Sequence, residues 1–370
     1  MNSFLEELEK HDIKALAGSA SAFSTANVKA ALSSSHVGLR EFLCLLSPAA
    51  SDMLETLAQR ARSITLSRFG RVIQLYSPLY LSNYCLNNCL YCGFRKDNPM
   101  ERKILPPDAI VKEARFLFDQ GFRSILLVAG DDPETCGLEY LREAISSIHE
   151  FLPSVSLEIG PQSQENYIEL RKAGAEGVVI YQETYNRELY KRLHPEGKKR
   201  DYAWRLETPE RVALAGFHRV GIGALLGLGN PMEEAVALFL HTSFMLKRHW
   251  KTRLTISFPR MRQASGSIKP LNPVDDRAFA RIICAFRIAF PDVGIVLSTR
   301  EEPRLRDGAV RLGVTHLSAG SRTEPGGYLD PDQRKEQFHV EDGRSPAEVV
   351  EMLVSNGYDP VWKDWEAVLV

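Results

Sequence analysis

The chain has 370 residues, of which 44% are hydrophobic and 25% are charged, and its formal net charge is -1. A near-neutral chain of this size can bury a substantial core, and without a concentrated basic stretch it offers no electrostatic footprint for nucleic acid or an anionic membrane. A small-molecule partner is therefore expected. The acidic N-terminus lacks the features of a secretory signal, and no apolar run approaches the roughly 20 residues of a membrane span, so a cytoplasmic location is expected.

The first part of the chain, residues 1–70, is predicted to be helical. Two stretches, SSSHVGLREFLCLLS and SDMLETLAQRARSI, place apolar residues three and four positions apart, which is the spacing of one helix face. From residue 71 onward, short apolar or β-branched runs alternate with amphipathic helical stretches. The predicted strands are 71–81, 124–130, 155–160, 177–182, 219–227, 253–260, 293–300 and 314–320.

This alternation predicts an α/β fold of the (β/α)8 barrel type. Eight strand and helix units over about 250 residues match the size and count of such a barrel. A doubly wound open sheet is the alternative, because alternation alone does not show closure. The expected organisation is an N-terminal helical extension at residues 1–70, a barrel at 71–320, and a C-terminal segment at 321–370 that packs on the barrel.

The barrel prediction carries a second expectation, because the active sites of such barrels lie at the C-terminal ends of the strands. Chemically capable side chains should therefore follow the predicted strands rather than precede them. Most of the eight runs agree with this expectation. The polar residues at these positions include Asp131, Asp132, Gln162, Glu183, Arg260, Arg262, Ser298, Thr299, Arg300, Ser318 and Ser321.

Three of the six cysteines, Cys85, Cys89 and Cys92, lie within the stretch NYCLNNCLYCGF. Thiolates are soft ligands that suit zinc or iron-sulfur clusters. Structural zinc takes four ligands, and no further cysteine or histidine lies nearby, so zinc is disfavoured. An iron-sulfur cluster held by three cysteines keeps one iron open for another ligand. The remaining cysteines are interpreted as small apolar residues, and these are Cys44, Cys136 and Cys284.

The Cys-x3-Cys-x2-Cys spacing, with Tyr91 before the last cysteine, resembles the radical S-adenosylmethionine (SAM) superfamily. From about residue 40 onward the chain is similar to the 2-iminoacetate synthases, the tyrosine lyases of thiamine biosynthesis. The fragments that carry this similarity are LSPAAS, PLYLSNYCLNNCLYCGF, VIYQETY, WRLETPER, SFPRMR, ICAFR, LSTREEP, EPGGY and PVWKDW.

Related families remain as alternatives. The tryptophan lyases share much of the substrate-anchoring region and are the nearest competitor, and the biotin synthases are more distant. The tyrosine lyases of hydrogenase maturation carry a second cysteine motif, whereas no cysteine follows Cys284 here. A non-catalytic iron-sulfur module, in which the thiols only staple a loop or carry electrons, is the alternative from another class.

The resemblance implies a [4Fe-4S] cluster on the three clustered cysteines and SAM on its open iron. It implies that the reduced cluster splits SAM into methionine and a 5'-deoxyadenosyl radical, which takes hydrogen from bound L-tyrosine and becomes 5'-deoxyadenosine. The Cα–Cβ bond then breaks to give p-cresol and 2-iminoacetate (dehydroglycine) for the thiazole of thiamine. The implied partners are an electron donor of the flavodoxin or ferredoxin type and thiazole synthase.

The same resemblance suggests which residues bind SAM. Gly130 and Asp131 stand where the family often has Gly-Glu, and Asp131, with Asp132 as its substitute, is expected to receive the SAM ammonium. Arg205 is expected to bind the SAM carboxylate through a two-pronged fork, and an exposed helix ion pair is its alternative role. The other expected contacts, to ribose or ammonium and to adenine, are Glu158, Glu183 and Tyr91.

For the substrate, Arg300 is expected to anchor the carboxylate of tyrosine, and a salt bridge to Glu301 or Glu302 is the alternative. The hydroxyl groups expected around this anchor belong to Ser298, Thr299 and Ser318. Tyr84 and Tyr181 are further candidate contacts, and support from behind the site is expected from Arg260 and Arg262.

Two features are interpreted as surface structure. The basic run EGKKR, residues 196–200, is expected to form a solvated loop, and His194 is expected to lie at the surface. The glycine-rich stretch GIGALLGLG lacks the spacing of a phosphate-binding loop, so it is interpreted as a barrel strand whose small residues admit SAM closely.

Overall fold

The computed structural model describes residues 3–332 and 335–362, and the remaining residues, including Lys363 to Trp365 of the fragment PVWKDW, lie outside the described part of the chain. Within that part the strands are β1 (Val72–Ser82), β2 (Ser124–Ala129), β3 (Ser154–Glu158), β4 (Ala175–Glu183), β5 (Arg219–Ala224), β6 (Arg253–Ser257), β7 (Gly294–Leu297), β8 (His316–Ser318) and β9 (Asp359–Val361).

Helices α1 to α6 precede the first strand, and the other helices follow or connect the strands. Their bounds are α1 (Phe4–Leu8), α2 (Ile13–Ser19), α3 (Thr25–Ser33), α4 (Leu39–Leu46), α5 (Pro48–Ser51), α6 (Leu54–Phe69), α7 (Pro107–Asp119), α8 (Leu138–His149), α9 (Gln164–Lys172), α10 (Arg187–Leu193), α11 (Tyr202–Leu206), α12 (Thr208–Leu214), α13 (Pro231–Arg248), α14 (Asp276–Ala289), α15 (Pro303–Ala309) and α16 (Pro346–Ser355). Single 3-10 turns lie at Ala20–Ala22 and Lys198–Arg200.

The first eight strands form a closed parallel barrel. Each strand from β1 to β8 pairs with the next one along the chain, and β1 also pairs with β8. On one edge of β1, Ser77 lies opposite Ile125, and on the other edge Tyr76 lies opposite Ser318. The predicted (β/α)8 barrel is therefore confirmed, and the open doubly wound sheet is wrong.

Helix α7 shows why these segments fold as predicted. Pro107 lies in its first turn, where its missing N–H costs nothing. Its apolar residues Ile110, Ala114 and Leu117 are buried in the core, in keeping with their helical spacing. The helix gives way to Gly121, whose φ of 103° is a conformation that side-chain-bearing residues rarely adopt. Each such unit returns the chain to the start of the next strand.

The N-terminal helices cover the outer face of the barrel helices. Phe42 of α4 stacks on Phe239 of α13 with 4.6 Å between ring centroids, and it meets Phe286 of α14 edge-on at 5.0 Å. These aromatic contacts bury a large apolar area, which is the main force holding the extension against the barrel.

Strand β9 is a feature that the sequence pattern did not indicate. It pairs with the start of β1, where Val72 lies opposite Asp359, and the carbonyl oxygen of Trp362 accepts a hydrogen bond of 3.2 Å from the N–H of Arg123. The Trp362 ring packs edge-on against Phe122 at 5.0 Å. A three-residue strand that contains proline has no clear sequence signature, and its position at an edge is the one that proline permits.

In the part of the chain that the structure describes, no helix combines the length and the apolar content that crossing a membrane would require.

Candidate functional site

The cysteine loop leaves β1 at the C-terminal mouth of the barrel. The N–H of Leu86 donates to the carbonyl oxygen of Asp131 at 3.0 Å, and the N–H of Leu90 donates to that of Leu193 at 3.1 Å. These bonds tie the loop to the ends of two other barrel units. A Cβ atom at Gly130 would lie 2.1 Å from the carbonyl oxygen of Tyr84, so this close approach requires glycine.

The three thiols have the surroundings of cluster ligands. Cys85, Cys89 and Cys92 are free, and Cys89 is buried. Burial raises the pKa of the Cys89 thiol to about 12, so its thiolate form requires a bound cation. Side-chain amides supply N–H groups at the sulfur atoms, at 3.7 Å from Asn87 Nδ2 to Cys85 Sγ and 3.8 Å from Gln337 Nε2 to Cys92 Sγ.

Three free thiols with amide N–H groups near two of the sulfur atoms are a donor set that suits an iron-sulfur cluster. Among the described residues, no group of three histidine, cysteine, aspartate or glutamate side chains converges closely enough to hold one metal ion. A single zinc ion would draw every sulfur to about 2.3 Å from one point. In an iron-sulfur cluster each thiolate binds a different iron, so the sulfur atoms stand farther apart. The three thiolates therefore suit an iron-sulfur cluster.

Glu183 is the centre of a buried charge cluster at the end of β4. Its Oε1 atom lies 2.6 Å from Lys199 Nζ and 3.4 Å from Arg205 Nη2, and Arg205 Nε donates to the carbonyl oxygen of Tyr181 at 2.7 Å. Burial favours a raised pKa for Glu183, but Lys199 and Arg205 outweigh it and hold the pKa below its usual value. Glu183 is therefore held as a carboxylate at the mouth of the barrel.

Glu183 also has an unusual backbone conformation. Its φ of 70° makes it the single non-glycine residue with positive φ in the described part of the chain. Such a conformation costs of order 1–3 kcal/mol and persists only where the surroundings enforce it. A register shift in the pairing of β4 with β5 falls between Tyr181 and Glu183, so the strand end turns the carboxylate toward the two cations.

The run EGKKR is exposed as expected except at Lys199, whereas the exposed ion pair considered for Arg205 is wrong. Lys199 belongs to the basic run, yet its side chain is only 14% exposed because it reaches Glu183, and its backbone N–H donates to Asn87 Oδ1 of the cysteine loop at 2.8 Å. The helix ion pair proposed as an alternative for Arg205 is not exposed, since Arg205 is buried. Only the tertiary fold brings residues 87, 183 and 199 together, and no local pattern encodes this.

His194 was also expected at the surface, and it is fully buried. Its Nε2 atom lies 2.7 Å from the hydroxyl of Tyr91, and its Nδ1 atom lies 2.7 Å from the carbonyl oxygen of Tyr190. Burial lowers the pKa of His194 to about 3, so the imidazole is neutral, with its proton on Nδ1 and with Nε2 accepting from Tyr91. The helical spacing that buries Tyr190 and Leu193 could have indicated this buried face.

Tyr91 itself packs beneath the cysteine loop. Its buried ring shares a small apolar cluster with Cys89, Leu193 and Leu225. Tyr91 is therefore a packing residue of the cysteine loop, and the expected contact with adenine stays a proposal.

The carboxylates predicted after β2 and β3 have different surroundings. Asp131 Oδ2 accepts a hydrogen bond of 2.9 Å from Asn87 Nδ2, so it faces the cysteine loop. Asp132 Oδ1 accepts from the N–H of Glu134 at 3.1 Å and so caps its own turn. Glu158, at the end of β3, is half-buried, and burial raises the pKa of its carboxyl group despite the opposing charge of Arg300. Asp131 is thus a better candidate than Asp132 for a bound cation.

Arg300 is available for an anionic ligand. Its guanidinium stacks 3.3 Å above the ring of Phe338, and among the described residues it forms no ion pair. The alternative salt bridge to Glu301 is wrong, because Glu301 binds Arg260 and Arg262. Stacking covers one face of the guanidinium and leaves its N–H edges for a planar acceptor such as a carboxylate.

The residues around Arg300 hold its turn in place. Arg262 Nε donates to the carbonyl oxygen of Arg300 at 2.6 Å, which agrees with the support expected from behind the site. Ser318 Oγ accepts from the N–H of Thr299 at 3.0 Å, and Ser298 Oγ accepts from the N–H of Arg300 at 3.4 Å. The hydroxyl groups of Ser298 and Ser318 therefore stabilise the turn that presents the guanidinium.

Tyrosine side chains line the interior below this turn. Of the two tyrosines considered as substrate contacts, Tyr181 lines this interior and interacts with Ser257, whereas Tyr84 is half-buried in the loop that leaves β1. Tyr76 and Tyr80 were not predicted. Tyr80 donates to Gln337 Oε1 at 2.8 Å, and Tyr76 interacts with Ser318. Tyr76 and Tyr80 are four residues apart on β1, so their side chains point to the same face of the strand. This even spacing could have identified them as a pair that faces the barrel interior.

Lys199 offers a test of the charge cluster. Replacing Lys199 by methionine removes one of the two cations that bind the buried carboxylate of Glu183, and loss of a buried partner destabilises a protein by about 3 kcal/mol. A lower midpoint of urea unfolding under anaerobic conditions is expected. The matched control is Lys198→Met, because Lys198 is exposed. Equal unfolding midpoints for the two variants would show that the ion pair between Lys199 and Glu183 does not stabilise the protein.

Comparison with known proteins agrees with the geometry. Residues 79–240 match the radical SAM superfamily, and residues 257–359 match the Biotin and Thiamin Synthesis associated domain. A 2-iminoacetate synthase from Salmonella typhimurium is 42% identical over 347 residues, which are 94% of this chain and 92% of that protein. A 2-iminoacetate synthase from Escherichia coli is 41% identical with the same coverage of both chains.

Solved structures show the same architecture. The crystal structure of HydG, a maturase of the [FeFe]-hydrogenase, superimposes with a TM-score of 0.90 at 34% identity and covers 95% of this chain and 79% of that chain. The crystal structure of methylornithine synthase (PylB) gives a TM-score of 0.76 at 22% identity, covering 92% of this chain and 99% of that chain. At that identity the likeness to PylB concerns the fold alone.

Proposed function

Because the chain belongs to the 2-iminoacetate synthase family of radical SAM lyases, we propose that the site described above cleaves the Cα–Cβ bond of L-tyrosine into p-cresol and 2-iminoacetate. One observation supports this assignment most directly. The three clustered thiols lie at the same end of the barrel as Arg300, a cation that has no acidic partner among the described residues. Tyr80 links the two, since it packs in one apolar cluster with Cys92 and its hydroxyl donates to Gln337, the neighbour of the Phe338 on which Arg300 stacks.

The cluster and SAM, when bound, supply a 5'-deoxyadenosyl radical together with methionine. Cys85, Cys89 and Cys92 would hold the [4Fe-4S] cluster. We propose that Asp131 faces the ammonium of SAM beside Gly130, whose missing side chain lets the end of β2 approach the cysteine loop. The remaining proposed contacts to SAM are Tyr91, Glu158, Glu183 and Arg205.

Glu183 and Arg205 bind each other, so each has fewer hydrogen-bonding groups free to contact SAM. Since Arg205 shares the Glu183 carboxylate with Lys199, part of its guanidinium is already engaged. Its Nε also donates to a backbone carbonyl group. We therefore propose that the SAM carboxylate meets the remaining N–H groups of Arg205, and that Glu183 accepts hydrogen bonds from the ribose hydroxyls, which suits an ionised carboxylate.

Arg300 would bind the carboxylate of tyrosine, with Ser298, Thr299 and Ser318 shaping the turn around it. This anchor fixes the amino acid end of the substrate at the mouth of the barrel and directs its ring into the interior lined by Tyr76 and Tyr181. A closed interior suits the chemistry because a reactive radical must meet its substrate before it meets water.

The remaining proposals concern the surroundings of the reaction. We propose that residues 1–70, 71–320 and 321–370 are three parts of one enzyme unit, since helices α4 to α6 pack on α14 and β9 joins β1. An imine product is open to attack by water, so a thiazole synthase that consumes it is the proposed partner. A flavodoxin or ferredoxin type protein is the proposed electron donor.

An anaerobic product assay tests the assignment. The protein with reconstituted cluster, a reductant and SAM is incubated with tyrosine or with tryptophan, and the products are separated and identified. We expect p-cresol and 5'-deoxyadenosine from tyrosine, and no p-cresol when SAM is omitted. Cleavage of tryptophan in preference to tyrosine would instead assign the chain to the tryptophan lyase reaction.

A further inference from the structure

A segment that the sequence interpretation did not consider crosses the mouth of the barrel. We call residues 335–342 the strap. The N–H of Gly93 in the cysteine loop donates to the carbonyl oxygen of Gln337 at 3.1 Å, and the N–H of Gln337 donates to that of Thr323 at 3.0 Å. At the far end, the N–H groups of Glu341 and Asp342 each donate to the carbonyl oxygen of Thr299 at 3.1 Å. The strap therefore joins the cysteine loop to the turn of Arg300.

The side chain of Gln337 points at a cluster ligand. Its Oε1 atom accepts a hydrogen bond of 2.8 Å from the hydroxyl of Tyr80. That bond orients the amide so that Nε2 faces Cys92 Sγ at 3.8 Å and donates a long hydrogen bond to the large sulfur atom. Such N–H groups stabilise the extra negative charge of a reduced iron-sulfur cluster and so raise its reduction potential.

The next residue of the strap contacts the proposed substrate anchor. Phe338 lies under the guanidinium of Arg300 at 3.3 Å, and its carbonyl oxygen accepts from Thr323 Oγ1 at 3.0 Å. The backbone between Gln337 and Phe338 is thus held on both sides. It is also packed tightly, since a Cβ atom at Gly93 would lie 2.6 Å from the carbonyl oxygen of Gln337. Because this backbone has little room to change its conformation, a movement of Phe338 also moves Gln337.

We infer that Gln337 is a positioning residue for the Cys92 thiolate, and that tyrosine bound at Arg300 alters the Gln337 contact through Phe338. The inference rests on the proposed function, because it takes Cys92 as a cluster ligand and Arg300 as the anchor. Its consequence is that the cluster has a different midpoint potential when the substrate carboxylate is in place. Electron delivery is then matched to the presence of tyrosine.

An EPR-monitored redox titration tests the inference without relying on turnover. The reconstituted protein is titrated with and without saturating tyrosine, in the presence of methionine and 5'-deoxyadenosine in place of SAM, and tyrosine binding is measured separately. In the unchanged protein we expect tyrosine to shift the midpoint potential. The variant Gln337→Met should have a more negative potential, and tyrosine should bind to it without causing the shift.

Further variants separate positioning from general damage. Tyr80→Phe keeps the amide but frees its orientation, so its potential should move in the same direction as that of Gln337→Met. Phe338→Leu should keep the resting potential and lose the tyrosine-dependent shift. The control His339→Ala removes an exposed side chain of the strap and should behave like the unchanged protein.

Two results would overturn the inference. One is that the unchanged protein forms p-cresol from tyrosine but has the same midpoint potential with and without tyrosine. That result would leave the proposed function intact. The other is a Gln337→Met variant with the potential and the shift of the unchanged protein. A protein that produces no p-cresol at all would instead be a failure of the proposed function.

Discussion

Replacing Cys89 by alanine should abolish the formation of p-cresol and 5'-deoxyadenosine while leaving the barrel folded. Cys89 is the most buried of the three clustered thiols. Two remaining thiolates cannot hold a cluster that needs three protein ligands, so iron and sulfide should be lost from the reconstituted protein. The measurements are the iron content, the visible absorption of the cluster and product analysis under anaerobic conditions.

The matched control is Cys284→Ala. Cys284 is fully buried in α14 and lies outside the cysteine loop. Removing its sulfur atom costs a small amount of packing energy, and the variant should bind iron and form p-cresol like the unchanged protein. A Cys89→Ala variant with full iron content and activity, or a Cys284→Ala variant without a cluster, would assign the wrong cysteines to the cluster.

The barrel could be predicted because its signals are local. Each strand is a short apolar run, and each helix repeats apolar residues at helical spacing, as Ile110, Ala114 and Leu117 show in α7. The cysteine loop could be predicted for the same reason, since its three thiols lie within eight residues. The predicted family and reaction agree with relatives that match nearly the whole chain.

The contacts that organise the site could not be predicted, because they join distant parts of the chain. Lys199 is bound by Glu183 and Asn87, and Gln337 reaches Cys92 across 245 positions of sequence. Nothing in the run EGKKR distinguishes Lys199, whose side chain is only 14% exposed, from its exposed neighbour Lys198. The strained conformation of Glu183 is likewise invisible in the sequence, since it arises from the register shift of β4 and the two cations around it.

Arg300 carries the second large expected effect. The variant Arg300→Lys keeps the positive charge but loses the fork that binds a carboxylate through two parallel hydrogen bonds, and it loses the plane that stacks on Phe338. The lost interaction is worth about 2 kcal/mol, which corresponds to a fall of about 30-fold in kcat/KM for tyrosine. Arg300→Met removes the charge as well, so its kcat/KM should fall further.

The distribution of this loss between KM and kcat identifies the role of Arg300. An anchor that binds substrate and transition state alike should raise KM for tyrosine more than it lowers kcat. Iron content should stay at the level of the unchanged protein, because Arg300 contacts no cysteine in the described residues. The control Arg304→Lys changes an exposed arginine of the neighbouring helix α15 and should leave KM unchanged. An Arg300→Lys variant with an unaltered KM would show that another group binds the carboxylate of tyrosine.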